Sequence, residues 1–320
     1  MRVLLTGANG FVAPYLAREL AARGHTVIPT DISARPAAPP CPAAAAAARP
    51  AGAVLQMAPS LPCDLCSPDA VQALVAQTRP DACIHLAGIS FVPDGATNPG
   101  RLYAINIGGT LNVLDALATA APGARFLFVS TAQAYGCTFN PDDAPIDENT
   151  PLYPLSPYAI SKAGGEAATR AYGIYRGLDV RIARPSNHTG PGQSTRFVAP
   201  SFVAQAREIL AGTRRAFSAG NLDSGRDFSD VRDVAAAYAD VLERGAPGAT
   251  YNVCATRRAT IRELLDRIIA ISGANAPVET DPALVRPTDF SRLLDTSRLR
   301  ALGWSPRHSL DATLRDMLNL

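Results

Sequence analysis

Short apolar runs alternate with longer segments of helical spacing through the first half of the chain. Arg2–Leu5, Thr26–Thr30, Ala82–Leu86, Phe126–Ser130 and Asp179–Arg184 are apolar-rich runs of strand length, the pattern of strands buried on both faces. Between them, Phe11–Arg23, Pro68–Thr78, Arg101–Ala120 and Tyr158–Tyr175 carry apolar residues at the spacing of helices packed on a sheet. This alternation predicts βαβ units, hence an α/β fold with a doubly wound parallel sheet. Residues 34–62 are rich in Ala and Pro, which predicts an exposed insertion between the second and third strands. After Arg184, the helices expected at Val198–Leu210, Val231–Glu243, Ile261–Ser272 and Leu310–Leu318 no longer alternate regularly with strands. A smaller second lobe is expected there: residues 1–184, with 226–250 returning, form the main domain, and 185–225 with 251–320 the C-terminal lobe.

Composition narrows the function. A chain of 320 residues, 47% apolar, can bury a large core. Its 30 basic and 28 acidic residues are spread without blocks of like charge, so nucleic acid is not an expected partner. No secretory leader pattern or bilayer-length apolar run follows the start, so the expected location is cytoplasmic with no membrane contact. Six cysteines, at 41, 63, 66, 83, 137 and 254, are scattered and are expected as buried free thiols. Cys63-x-x-Cys66 lacks a second pair or nearby His ligands, so no metal is expected. Lys162 is the single lysine in a chain whose other basic residues are all Arg. Lysine is a compact point charge on a flexible stem, suited to reach a cofactor and tune a neighbour's pKa.

Thr6-Gly7-Ala8-Asn9-Gly10-Phe11-Val12-Ala13 joins the first strand to the first helix. This is a dinucleotide fingerprint in its required context: glycines allow a tight turn and close backbone approach, and the helix N-terminus offers N–H groups to a pyrophosphate. Ala13 stands at the third glycine site, which mainly sets helix–strand packing. Asp31, 21 residues after Gly10, is placed to accept from adenosine ribose hydroxyls. That favours NAD, while the nearby Arg35 leaves NADP open. Asp64 and Leu65, and then Leu86, Ala87 and Gly88, lie at strand C-termini, where ligands gather in such sheets.

Tyr158-Ala159-Ile160-Ser161-Lys162 puts a phenol and an ammonium one helical turn apart. A nearby cation is expected to lower the tyrosine pKa from about 10 and fit it for proton transfer. Upstream, Val129-Ser130-Thr131-Ala132-Gln133-Ala134-Tyr135-Gly136 ends a strand with hydroxyls at the sheet edge, where Thr131 is the natural partner of a reacting oxygen; a simple capping role is the alternative.

Through TGANGFVA, HLAG, STAQAYG, YAISK and RDFSDVRDV the chain resembles the extended short-chain dehydrogenase/reductases of the sugar-nucleotide epimerase/dehydratase family, over nearly its whole length. The resemblance implies a Rossmann-type domain, the triad Thr131, Tyr158 and Lys162, and a homodimer packed through the helices containing Asn106–Leu117 and Tyr158–Tyr172. It extends the cofactor set to Asn106, Arg184 and Pro185. A narrower likeness, Arg184-Pro185-Ser186-Asn187-His188-Thr189-Gly190-Pro191-Gly192-Gln193 followed by Phe197-Val198-Ala199-Pro200-Ser201-Phe202, with Tyr251–Cys254 and Arg286-Pro287, is to the branch that reduces GDP-4-dehydro-6-deoxy-D-mannose to GDP-D-rhamnose. That implies a GDP-sugar substrate met by Thr131, Gln133, Asn187, Val198 and Pro200, with Arg226 and Arg286 on the diphosphate, where guanidinium geometry suits phosphate oxygens. Two departures stand out. Ser186 replaces a usual aromatic residue, and Gln133 stands where the related 4,6-dehydratases carry a catalytic glutamate; an amide cannot abstract a proton, which argues against dehydration. A nucleotide-sugar 4-epimerase with retained NAD, and a non-catalytic dinucleotide sensor, remain the alternatives.

Overall fold

The structure, a computed structural model, describes residues 1–34, 59–91, 95, 97–136, 145–285 and 293–320. Among the described residues seven parallel strands form the central sheet: β1 (Arg2–Thr6), β2 (Thr26–Asp31), β3 (Leu61–Pro62), β4 (Ala82–His85), β5 (Arg125–Val129), β6 (Asp179–Pro185) and β7 (Thr250–Val253). Their order is β3-β2-β1-β4-β5-β6-β7. The chain reverses direction across the sheet between β1 and β4, the switch point outside which such sheets bind ligands.

Helices cover both faces. On one side α1 (Ala13–Ala22) and the later Val231–Arg244 helix bury Leu16, Leu20, Val234 and Tyr238 against Leu5, Leu127 and Ala183. On the other, α2 (Pro68–Thr78) and the Gly109–Ala120 helix pack Val75, Val113 and Leu117 on Leu4, Phe126 and Phe128. Strands covered on both faces must be apolar throughout, which is why their sequence reads as continuous runs.

Three expectations are corrected here. The insertion expected at 34–62 lies mostly outside the described residues, but its last two, Leu61 and Pro62, pair with Thr30 and Asp31 as the sheet's edge strand; proline is tolerated there because an edge N–H has no ladder partner to lose. The return to the main domain runs past residue 250, since Thr250–Val253 pairs with β6. The helix expected over Arg101–Ala120 is a Pro99–Tyr103 helix, a π turn at Ala104–Gly108 that buries Asn106, and the Gly109–Ala120 helix.

The remaining elements form the smaller lobe. Its core joins Phe202 and Val203 of the Val198–Leu210 helix, Leu264 and Ile268 of Ile261–Ser272, and Leu314 of Leu310–Leu318. Cys63, Cys83 and Cys254 are buried free thiols, whereas Cys66 is exposed; Cys41 and Cys137 lie outside the described residues. Among the described residues no helix is long and apolar enough to cross a membrane, and no His, Cys, Asp and Glu cluster could hold a metal.

Candidate active site

A cavity of about 1500 Å³ runs along the C-terminal edge of the sheet and into the groove beneath the smaller lobe. Pockets for one small ligand are typically about 300–1,000 Å³, so this one has room for two large ligands end to end.

One end is the fingerprint turn. Gly7 has φ +71°, and a Cβ there would stand 2.7 Å from the Ala87 nitrogen, so the β1 and β4 loops meet only because residue 7 is glycine. Gly10, Phe11, Val12 and Asp31 line this end, as do Asp64, Leu65, Leu86, Ala87 and Gly88. Asn9 does not reach the cavity. Its backbone N–H donates to the Asp31 carboxylate (2.9 Å) and its amide to the Ser33 carbonyl (3.0 Å), so it holds Asp31 at the end of β2.

At the middle stand Thr131, Tyr158 and Lys162. Ser156 caps the Pro157–Arg176 helix by accepting from the Ala159 N–H, with Pro157 at its first position, so Tyr158 sits in the first turn and Lys162 one turn on. A Cβ on Gly165 would meet the Phe128 ring at 2.4 Å; the helix therefore lies hard against β5. That approach lets the Lys162 Nζ donate to the Val129 carbonyl (2.8 Å) and lie 5.1 Å from the Phe128 ring centroid. Burial lowers the Lys162 pKa to about 8, partly offset by Glu166. Thr131 caps the short Ala132–Tyr135 turn by accepting from the Gln133 N–H, while its own O–H hydrogen-bonds with the Tyr158 phenol. The capping and functional readings of Thr131 are therefore compatible.

The expected lowering of the Tyr158 pKa is not what the structure shows. Burial pushes it up to about 12, only the hydrogen bond with Thr131 pulls it back, and the Lys162 charge is turned to the Val129 carbonyl. A phenol with that pKa keeps its proton at neutral pH, the form an acid requires.

Behind the triad lies a buried network that sequence reasoning assigned elsewhere. Arg184, expected at the cofactor, does not line the cavity: its guanidinium forks onto Glu166 (2.6 and 2.9 Å) and donates to the Tyr135 hydroxyl (2.8 Å). Ser130 donates to the same carboxylate at 2.5 Å. Glu166 is four residues past Lys162, a spacing from which its place beside that helix face was readable. Asn106 also stays out of the cavity, bridging Ile89 and Ser161. Pro200 is buried in the Val198–Leu210 helix away from the cavity.

Gln133, Asn187, Val198 and Arg226 line the far end, with Pro185 between; Arg286 lies outside the described residues. Ser186 donates to Asp227 (3.0 Å), which also accepts from Ser229 and the Arg257 N–H. The hydroxyl thus ties the loop after β6 to the segment that carries Arg226. Among the wall residues that escaped sequence reasoning are His188 and Tyr238, whose buried hydroxyl has no hydrogen-bond partner among the described residues. Tyr238 sits in a helix whose apolar stripe gives no sign of a role.

The family model described as GDP-mannose 4,6 dehydratase matches residues 4–317. The chain belongs to this family. Within it, the chain is 37% identical over 259 residues to GDP-6-deoxy-D-mannose reductase of Pseudomonas aeruginosa, covering 80% of this chain and 84% of that one. The human dTDP-D-glucose 4,6-dehydratase is 30% identical over 250 residues, covering 76% and 69%. Among solved structures, RMD from Pseudomonas aeruginosa complexed with NADPH superposes with TM-score 0.83 at 33% identity, covering 99% of this chain and 97% of that one. The Thermus thermophilus UDP-glucose 4-epimerase complex with NAD gives 0.84 at 28% identity, covering 100% and 98%. Relatives of the GDP-mannose 4,6-dehydratase family thus include reductases, dehydratases and epimerases on one fold, and only the site distinguishes their chemistries.

Proposed function

We propose that this family member is an NAD(P)H-dependent reductase of the C4 ketone of a nucleotide-linked 4-keto-6-deoxyhexose, converting GDP-4-dehydro-6-deoxy-D-mannose to GDP-D-rhamnose. The observation that carries the reading is one continuous cavity. It joins a Gly7–Asp31 cradle to a Thr131–Tyr158–Lys162 cluster whose tyrosine retains its proton, with the amide of Gln133 on the same wall.

The residues present fit a dinucleotide. The φ of Gly7 and the close approach of Ala87 open the turn to a pyrophosphate, and Asn9 holds the Asp31 carboxylate where a ribose hydroxyl can donate to it. When bound, the reduced nicotinamide supplies the hydride. Thr131 turns its O–H from the Tyr158 phenol to the ketone oxygen and polarises the carbonyl. Tyr158 gives its phenolic proton to that oxygen as negative charge develops there. Lys162, anchored on Val129, binds the nicotinamide ribose and keeps a positive charge beside the phenolate that results. Asn187 orients the sugar and Arg226 holds the diphosphate. Gln133 cannot serve as a base, so elimination across the sugar does not compete. Two copies pair through the Gly109–Ala120 and Pro157–Arg176 helices, a face supported by the exposed Leu111 and Ile160.

The test is oxidation of NADH and of NADPH by freshly prepared GDP-4-keto-6-deoxymannose, with the product sugar identified. Stoichiometric oxidation to GDP-rhamnose is expected, and Tyr158→Phe is expected to lose about 10²–10⁴-fold in kcat while binding coenzyme normally. Absence of net oxidation with NAD co-purifying would favour the epimerase.

A further inference from the structure

One polar atom of the cavity wall has no part in the chemistry above. His188 follows β6, lines the cavity, and lies flat against Phe11, the residue after Gly10: the ring centroids are 6.2 Å apart and the planes 5° from parallel. Its Nδ1 stands 3.1 Å from the Ser186 carbonyl oxygen. A carbonyl can only accept, so Nδ1 carries the ring's hydrogen and Nε2 is a bare acceptor. Burial, acting against the hydrogen bond to Ser186, favours the neutral ring. Among the described residues Nε2 has no hydrogen-bond partner.

An unprotonated nitrogen repels phosphate oxygens and selects a hydrogen-bond donor. His188 lies against Phe11 of the fingerprint turn and lines the same cavity as the Tyr158 phenol. If hydride is to reach a carbonyl held by Thr131 and Tyr158, this stretch holds the nicotinamide end of the coenzyme. The donors there are the ribose hydroxyls, for which Tyr158 and Lys162 are at hand, and the carboxamide NH2. We propose that His188 Nε2 accepts a hydrogen bond from the nicotinamide carboxamide and so fixes which face of that ring meets the substrate. His188 is then a positioning residue for hydride transfer. The inference rests on the coenzyme reading above, and its test separates the two.

Binding of oxidised NADP and of its 3-acetylpyridine analogue, in which a methyl replaces the NH2, is titrated calorimetrically against the wild-type chain and His188→Phe. Phenylalanine keeps the stack on Phe11 and removes the acceptor. The wild type is expected to prefer the carboxamide by about 3- to 10-fold, the worth of one hydrogen bond, and His188→Phe to bind both alike. His188→Leu, which removes the acceptor without an aromatic ring, is expected to give the same equal binding and stands in should the Phe variant misfold. Equal binding by the wild type, or a preference that survives both substitutions, would overturn the role of His188. Failure of the wild type to bind either NADP or NAD would instead overturn the coenzyme reading itself.

Discussion

Glu166→Gln is the substitution whose outcome the structure specifies most fully. Glu166 and Arg184 are almost wholly buried, with side chains 1% and 3% exposed, and the carboxylate takes a fork from Arg184 and a hydroxyl from Ser130. Glutamine has the same size but no charge, and its NH2 faces donors. The amide oxygen can still accept one Arg184 N–H, but the second arm of the fork is lost, and the guanidinium, which keeps the Tyr135 hydroxyl at 2.8 Å and the Glu148 carbonyl at 3.3 Å, has its charge uncompensated. Removing one partner of a buried pair costs about 3–5 kcal/mol. For a chain of 320 residues, at about 2.1 cal/mol/K of unfolding entropy per residue, that amounts to a fall of roughly 4–8 °C in melting temperature, readable by scanning calorimetry. The same change acts on Lys162. Glu166 raises a pKa that burial holds at about 8, so its loss lowers that pKa further. The ammonium is then lost at lower pH, and the alkaline limb of kcat/KM must move down. A pair contributing nothing would leave the melting temperature within about 2 °C of wild type. That result with an unmoved alkaline limb would refute the reasoning.

Tyr238→Phe removes a buried hydroxyl with no partner among the described residues. An unsatisfied buried group costs about 1–3 kcal/mol, so the variant is expected to be no less stable than wild type in urea unfolding; a loss above about 1 kcal/mol would mean that the hydroxyl has a partner after all. Replacing both Leu111 and Ile160, 36% and 43% exposed, by Arg is expected to give monomers in sedimentation without lowering the melting temperature. Undiminished dimers would place the interface elsewhere.

What was legible follows from period and context. The five longest sheet strands after the edge pieces and all the long helices announced themselves because each is covered on a fixed face, and Gly7, Tyr158 and Lys162 stood out because their chemistry requires particular neighbours at particular spacings. Edge strands are a different matter. Leu61–Pro62 is two residues long and exposed, and no periodicity exists in two residues. Thr250–Val253 is buried throughout, yet four residues after a helix read equally as a connection.

Side-chain destination was harder still, because the sequence fixes what a group can do and packing decides where it does it. Arg184 stands immediately before Pro185, which does line the cavity; alternation along a strand sends successive side chains to opposite faces, and the sealed Glu166 carboxylate claimed the guanidinium. Asn106 and Asn9 were drawn away in the same manner by backbone groups of Ile89 and Ser33. The same packing changed the argument about Tyr158. Proximity of a lysine in sequence suggested an acidified phenol, but an ammonium that finds a carbonyl at 2.8 Å and a phenol sealed from water have the opposite effect. In a reductase that outcome is useful, because an acid must still hold its proton when the ketone arrives, and the positive charge of Lys162 becomes valuable only after the proton has left.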